Sequence, residues 1–140
     1  MLKKILVATD ASEYSRRALK TALELARKFN SEVVLLFVMH MPIVYDYSVY
    51  SYIISPEQIE QEGELAIEAT LEGIDISEVT LIKKKMHGKP ADVILKEVEN
   101  ENIDLVVMGS HGYGVIAGSL LGSVSQHVLR GTKCSVLIVK

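Results

Sequence analysis

The sequence predicts an α/β fold built on a doubly wound parallel sheet with helices on both faces. Three observations carry that reading. Short runs such as Ile5-Leu6-Val7-Ala8 and Val33 to Met39 are continuously apolar, as expected of strands covered on both sides. The segments between them repeat apolar residues at helical spacing. The two kinds of segment then alternate along the chain, which is the pattern of successive βαβ units.

Taken in order, Ile5 to Ala8 is a first strand that ends at Thr9-Asp10. Ser12 offers an N-cap, and Ala18, Ala22, Leu25 and Phe29 recur at helical spacing with Leu19 and Ala26 beside them. Val33 to Met39 is the second strand. The segment from Met41 to Ser55 opens with Pro42, holds Tyr45, Tyr47, Tyr50 and Tyr52, and reads as a loop or an irregular helix start. Pro56 suits the first position of a helix that continues through Ile59, Ala66, Ile67 and Leu71. Val79 to Ile82 predicts a third strand running on into Lys83-Lys84-Lys85, followed by a turn at His87-Gly88-Lys89-Pro90 and a helix containing Val93, Ile94 and Val98. Asp104 to Met108 is a fourth strand that leads straight into glycines. Leu121, Val124 and Val128 then mark a last helix, Gly131 a stop, and Ser135 to Val139 a fifth strand.

A chain of 140 residues is the usual size of one domain, so residues 1–140 are read as a single domain. The net charge of −3 gives no footprint for nonspecific nucleic-acid binding. The opening MLKKILVATD has too short an apolar run for a signal peptide. No run approaches the roughly 18 residues that span a membrane. The one cysteine, Cys134, cannot close an internal disulfide, which is consistent with a reducing, cytoplasmic setting. The expectation is a soluble cytoplasmic protein.

In doubly wound sheets, ligands bind beyond the carboxyl ends of the strands, where the winding reverses. Asp10 lies at one such end. At another lies GSHGYGVIAGSLLGS, residues 109–123, which holds five of the nine glycines. Gly112 to Ala117 matches the dinucleotide fingerprint G-x-G-x-x-A, but the ribose-binding acid that should follow is missing, since no acidic residue follows Asp104. A Walker P-loop fails as well, because no lysine lies between Gly109 and Arg130. The longer spacing is more informative: Gly109, Gly112 and Gly122-Ser123 form G-x2-G-x9-G-S.

With that spacing the chain resembles the universal stress protein family, specifically its ATP-binding branch. The resemblance spans nearly the whole chain. It includes Ile5 to Asp10 with Ser12-Glu13, Gly88-Lys89-Pro90-Ala91, Asp104 to Gly112, and Leu121 to Ser125. It implies a Rossmann-like five-stranded parallel sheet in the order 3-2-1-4-5, with Asp10 and Gly109 on the two walls of one crevice. It further implies that Ala8, Asp10 and Val38 contact the adenine and ribose of ATP. Met108, Gly109 and Gly112 would line the ribose and first phosphates, with Thr9, Ser110 and His111 also among the ATP-binding residues. Gly122, Ser123 and Val124 would hold the outer phosphates, with Mg²⁺ accompanying the nucleotide and no identifiable metal ligands.

The chemistry suits these positions. Glycine lets backbone N–H groups approach phosphate, and a helix opening at Ser123 favours an anion. A carboxylate such as Asp10 accepts from a ribose hydroxyl or an adenine amino group, and would repel phosphate. Each residue also has a plainer reading: Asp10 as support for the first helix cap, Gly109 and Gly112 as turn residues, and Gly122 as a close packing point. His111 reads as a loop residue, since no Ser/His/Asp arrangement can be assembled around it.

The motif lacks the lysine, arginine and base that phosphoryl transfer uses. A nucleotide-binding regulatory or stress-response protein is therefore expected, with slow ATP hydrolysis or a nucleotide-independent scaffold as alternatives. Lys83, Lys84 and Lys85 would guard one sheet edge. The unguarded apolar strand Val136-Leu137-Ile138-Val139 would form the homodimer that the resemblance implies.

Overall fold

The computed structural model describes residues 1–40, 55–113 and 118–140. The tyrosine-rich segment and part of the G-x-G-x-x-A match lie outside the described residues. The elements are β1 (Lys4–Thr9), α1 (Glu13–Phe29), β2 (Glu32–His40), α2 (Pro56–Leu71), β3 (Thr80–Gly88), α3 (Pro90–Asn100), β4 (Leu105–Gly109), α4 (Ser123–Gly131) and β5 (Ser135–Val139). All five strands are parallel, in the order β3-β2-β1-β4-β5.

Alternation along the strands sorts the side chains into two cores. Ile5 and Val7 of β1, with Val33 and Leu35 of β2 and Val107 of β4, pack beneath α1 and α2, where Ala18, Leu19, Ala22, Leu23 and Ile67 close the layer. Leu6, Val34, Leu36, Val106 and Met108 point the other way, against Ala91, Ile94 and Val98 of α3 and Val128 of α4. Most of these side chains are essentially inaccessible to solvent, at about 1.5–3 kcal/mol for each fully buried large aliphatic. The chain thus winds first over one face and then over the other, and the winding reverses between β1 and β4.

The helix ends follow local chemistry. Ser12 caps α1, accepting from the Ser15 amide, and Asn30 ends it in the left-handed conformation that Asn tolerates. Phe29, at the last position of α1, is 58% exposed, so the helical face that opens at Ala18 does not extend to it. At α2, Ser55 and Gln58 form a reciprocal capping box with Pro56 at the first turn.

The third strand corrects the sequence reading. His87 and Gly88 do not form a turn; they extend β3, pairing with Met39 and His40 of β2. Continuous pairing with a nine-residue neighbour outweighs the local Gly-Pro signal. Two of the three lysines also do more than guard an edge. Lys84 reaches Glu97 at 2.8 Å and Glu101 at 2.9 Å on the α3 side, whereas Lys85 pairs with Glu60 and, at 2.9 Å, with Glu64 of α2. Adjacent lysines therefore tie a helix to each face of the edge strand.

Candidate functional site

At the carboxyl ends of β1 and β4 the two connections diverge, one into α1 and one into the glycine-rich segment. A cavity of about 340 Å³ opens between them. Its floor continues the α3/α4 core: Ala8, Leu36, Val38 and Met108 come from three strands, with Pro90 and Ile94 of α3 against them. Its polar side is formed by Asp10, His111, Gly112, Gly122 and Ser123. The result is an apolar slot at one end and a backbone-rich polar rim at the other. Small-molecule sites commonly combine these two features.

Asp10 anchors one wall. Its Oδ1 accepts from the Ser12 amide at 2.9 Å and from the Ser15 hydroxyl at 2.8 Å, which steadies the start of α1 without Asp10 being the cap itself. Its Oδ2 accepts from the Tyr113 amide at 3.0 Å across the crevice. The Tyr113 hydroxyl then donates to the Ala11 carbonyl at 2.9 Å. These two bonds clasp the glycine loop to the β1–α1 turn.

The opposite wall is pinned from behind. Ser110 donates its amide to the Val139 carbonyl at 2.8 Å and accepts from the Gly122 amide at 2.7 Å. The Ser110 hydroxyl lies 3.0 Å from His111 Nδ1, and His111 Nε2 lies 2.8 Å from the Ser119 carbonyl. A carbonyl can only accept, so His111 Nε2 carries a hydrogen and donates it to the Ser119 carbonyl. Ser125 of α4 donates its hydroxyl to the Gly109 carbonyl at 2.8 Å. Gly122 is the N-cap of α4 and supplies no side-chain cap. The first amide with an intrahelical acceptor is that of Gln126, so the amides of Ser123, Val124 and Ser125 stand at the cavity without one.

The glycines have specific causes. A Cβ on Gly112 would stand 2.1 Å from Asp10 Oδ2, and one on Gly109 would stand 2.6 Å from the Cβ and 2.9 Å from the carbonyl carbon of Tyr14. Both glycines are required by the chain's own close contacts, between the loop and Asp10 and between β4 and α1. Gly122 differs, because a Cβ there meets only ordinary contacts of 3.4 Å and beyond.

Of the residues singled out in the sequence, the structure brings Ala8, Thr9, Asp10, Val38, Met108, Gly109, His111, Gly112, Gly122, Ser123 and Val124 together around one cavity. Ser110 is the one residue of the set outside that lining. It is buried, and its polar groups are spent on Val139, Gly122 and His111. Sequence reasoning missed Ser15, Leu36, Pro90, Ile94, Tyr113 and Ser125. Leu36 was legible as the same-face neighbour of Val38, and Ile94 as the residue one turn beyond Pro90. Nothing in the sequence marks Tyr113. A smaller cavity of about 190 Å³ adjoins the first, sharing His111, Gly112, Gly122 and Ser123 and adding Ser119, Leu121 and Gln126. Among the described residues no group of three or more His, Cys, Asp or Glu is placed to hold a metal ion. Nor is any helix among them long and apolar enough to cross a membrane.

The model of the universal stress protein family matches residues 1–140. The chain belongs to the universal stress protein family. Among curated universal stress proteins, MJ0531 of Methanocaldococcus jannaschii is 32% identical over 141 residues, covering 100% of this chain and 83% of its own length. YxiE of Bacillus subtilis is 31% identical, with 100% of both chains covered. The solved structure of MJ0577 of M. jannaschii superposes with a TM-score of 0.83 at 30% identity, covering 100% of this chain and 96% of that one. A universal stress protein solved in complex with cAMP matches with a TM-score of 0.63 at 26% identity, covering 99% and 96%. The strand order and parallel sheet described above are thus those of the family.

Proposed function

We propose that this universal stress protein binds ATP in the cavity between Asp10 and the α4 N-terminus, as a nucleotide-dependent regulatory or stress-response protein. The observation that carries the reading is the convergence of Gly109, Gly112, Gly122 and Ser123 on one cavity whose other end is apolar. A structural relative complexed with cAMP supports a nucleotide as the ligand class. The base fits the slot of Ala8, Leu36, Val38 and Ile94. The free acceptor capacity of Asp10 suits a ribose hydroxyl or an amino group. The phosphates meet the amides of Ser123 and Val124, where unpaired N–H groups and the helix dipole favour an anion.

Binding, and not turnover, is the reading for ATP. No lysine, arginine or free carboxylate base stands among the described cavity residues at the phosphate end, so the groups that accelerate phosphoryl transfer are not assembled there. The assembly is a homodimer through Val136 to Val139, because β5 is a sheet edge with a partly exposed apolar face, Leu137 included. The protein acts in the cytoplasm, as one domain.

Denaturing the purified protein and identifying released nucleotide by mass spectrometry, with calorimetric titration of Mg·ATP, tests the reading. Gly122→Val is expected to abolish binding, while Gly122→Ala folds normally because its Cβ meets only ordinary contacts. Undiminished affinity in Gly122→Val would refute the phosphate assignment. Light scattering at micromolar concentration reads the dimer, and a monomer would refute that part alone.

A further inference from the structure

We propose that Ser15 is a positioning residue for the nucleotide site: its hydroxyl fixes the Asp10 carboxylate so that Oδ2 is offered to a sugar hydroxyl. The proposal rests on the nucleotide reading above and adds to it a residue that acts without touching the ligand.

Ser15 lines the cavity, yet it is buried and its hydroxyl is fully used within the chain. It donates to Asp10 Oδ1 at 2.8 Å and accepts from the Asp10 amide at 3.1 Å. It also lies 3.3 Å from the Ser12 hydroxyl, which is the donor in that pair because the Ser15 hydrogen is already committed. One donor and two acceptor sites are the whole capacity of a serine hydroxyl. None is left for a ligand, so any effect of the Ser15 hydroxyl on binding passes through Asp10.

The reciprocal pair matters because of how an aspartate turns. The torsion that rotates its carboxylate plane, χ2, has broad minima and is soft on its own. The Ser12 amide, 2.9 Å from Oδ1, holds one corner of that plane and leaves the rest free to swing. Ser15, in the first turn of α1, is the second anchor on the same oxygen. With Oδ1 held twice, Oδ2 is turned to the other side. There the Tyr113 amide lies 3.0 Å away, and a Cβ on Gly112 would stand 2.1 Å away. Gly112 and Tyr113 both line the cavity, so this oxygen stands at its edge. The Asp10 amide is bound to the same Ser15 hydroxyl, which references the main chain and the side chain of Asp10 to one point on α1.

A serine that only steadied α1 would affect every ligand alike. One that orients Asp10 affects only ligands carrying the hydroxyl that Asp10 accepts from. Calorimetry on the full chain with the magnesium complexes of ATP, 2′-deoxy-ATP and 3′-deoxy-ATP separates the two. In the parent, at least one deoxy analogue is expected to bind about tenfold or more weaker than ATP. Ser15→Ala is expected to weaken ATP by about three- to tenfold and that analogue by less than about twofold, so the discrimination collapses. Ser15→Thr keeps the hydroxyl and should keep the discrimination. Should Ser15→Ala not fold, Ser15→Cys retains the shape with only a weak donor and is expected to read as Ala does.

Equal loss for all three nucleotides, undiminished ATP affinity in Ser15→Ala, or lost discrimination in a folded Ser15→Thr would overturn the proposal and leave the nucleotide reading standing. A parent that binds ATP and both analogues alike would do the same. A parent that binds none of the three would overturn the nucleotide reading itself, and the proposal with it.

Discussion

Two aspartates bracket the central strand pair, and the chain uses them in opposite ways. Asp104 stands just before β4, where the strands begin. Its Oδ2 accepts from the amides of Lys3 at 2.8 Å and Lys4 at 2.9 Å, so it stitches β1 to β4. Around it the end of the sheet is closed by charge: Lys4 lies 3.5 Å from Glu101 and 3.8 Å from Glu32. Asp10 stands just after β1, at the opposite end. It too accepts from its own chain, yet its carboxylate also faces a cavity. In a parallel sheet every strand leaves by the same end, so the connections diverge there and leave room. The beginning of the sheet has no such divergence and can be sealed. The stabilising seal and the candidate site thus stand at opposite ends of the same two strands.

The largest effect should come from breaking the open end. Asp10→Ala removes an acceptor for which hydrogen bonds to a charged group contribute about 1.5–3 kcal/mol, so nucleotide affinity is expected to fall by about 10- to 100-fold in calorimetry. Gly112→Ala should lose a similar amount, because its Cβ would strike Asp10 Oδ2. The double variant should then be no weaker than Asp10→Ala alone, since removing the carboxylate removes the clash. Additive losses would show that Gly112 acts on something other than Asp10.

The sealed end should respond in stability and not in binding. Asp104→Ala is expected to cost about 1–2 kcal/mol in urea unfolding, toward the low end because the carboxylate is partly solvated, with nucleotide affinity unchanged. Amide hydrogen bonds from Lys4 and Lys3 hold the Asp104 carboxyl below its ordinary range. A pKa lowered on folding contributes stability above the unfolded-state value of about 4, and that contribution is lost as pH falls through the folded value. Asp104→Asn should therefore flatten the acid limb of the stability curve. An unchanged acid limb would remove Asp104 from the account.

The smallest effect is expected at the clasp between the walls. Tyr113→Phe deletes the bond to the Ala11 carbonyl but keeps the amide bond to Asp10. Affinity should drop by about two- to tenfold, the equivalent of one neutral hydrogen bond, with the thermal midpoint nearly unmoved. A large shift in that midpoint would instead make Tyr113 part of the stabilising frame.

Sequence and structure agree most where a periodic pattern meets a clear signal. The apolar runs of β1, β2, β4 and β5, Ser12 as the α1 cap and Pro56 opening α2 were all legible, because each is decided within a few residues. The extra length of β3 was not, since it depends on pairing with β2, a partner distant in sequence. The same divide runs through the site. The spacing of Gly109, Gly112 and Gly122 pointed to one cavity, yet the contacts that require two of these glycines, Tyr14 and Asp10, belong to α1 and the turn before it. Ser110 could not be told from its neighbours by spacing, because only the fold shows that it faces inward.

Ser110 also bears on how fast a ligand could be received. Its amide is held by Val139 and its carbonyl by Gly122, while Tyr113 is already fastened to Asp10 and Ala11. Both roots of the rim are therefore ordered before anything arrives. The conformational entropy of fixing these residues was lost on folding, so a ligand does not have to supply it again. Capture at these positions resembles docking onto a rigid surface, and its rate should follow encounter and desolvation more than rearrangement of the described loop residues.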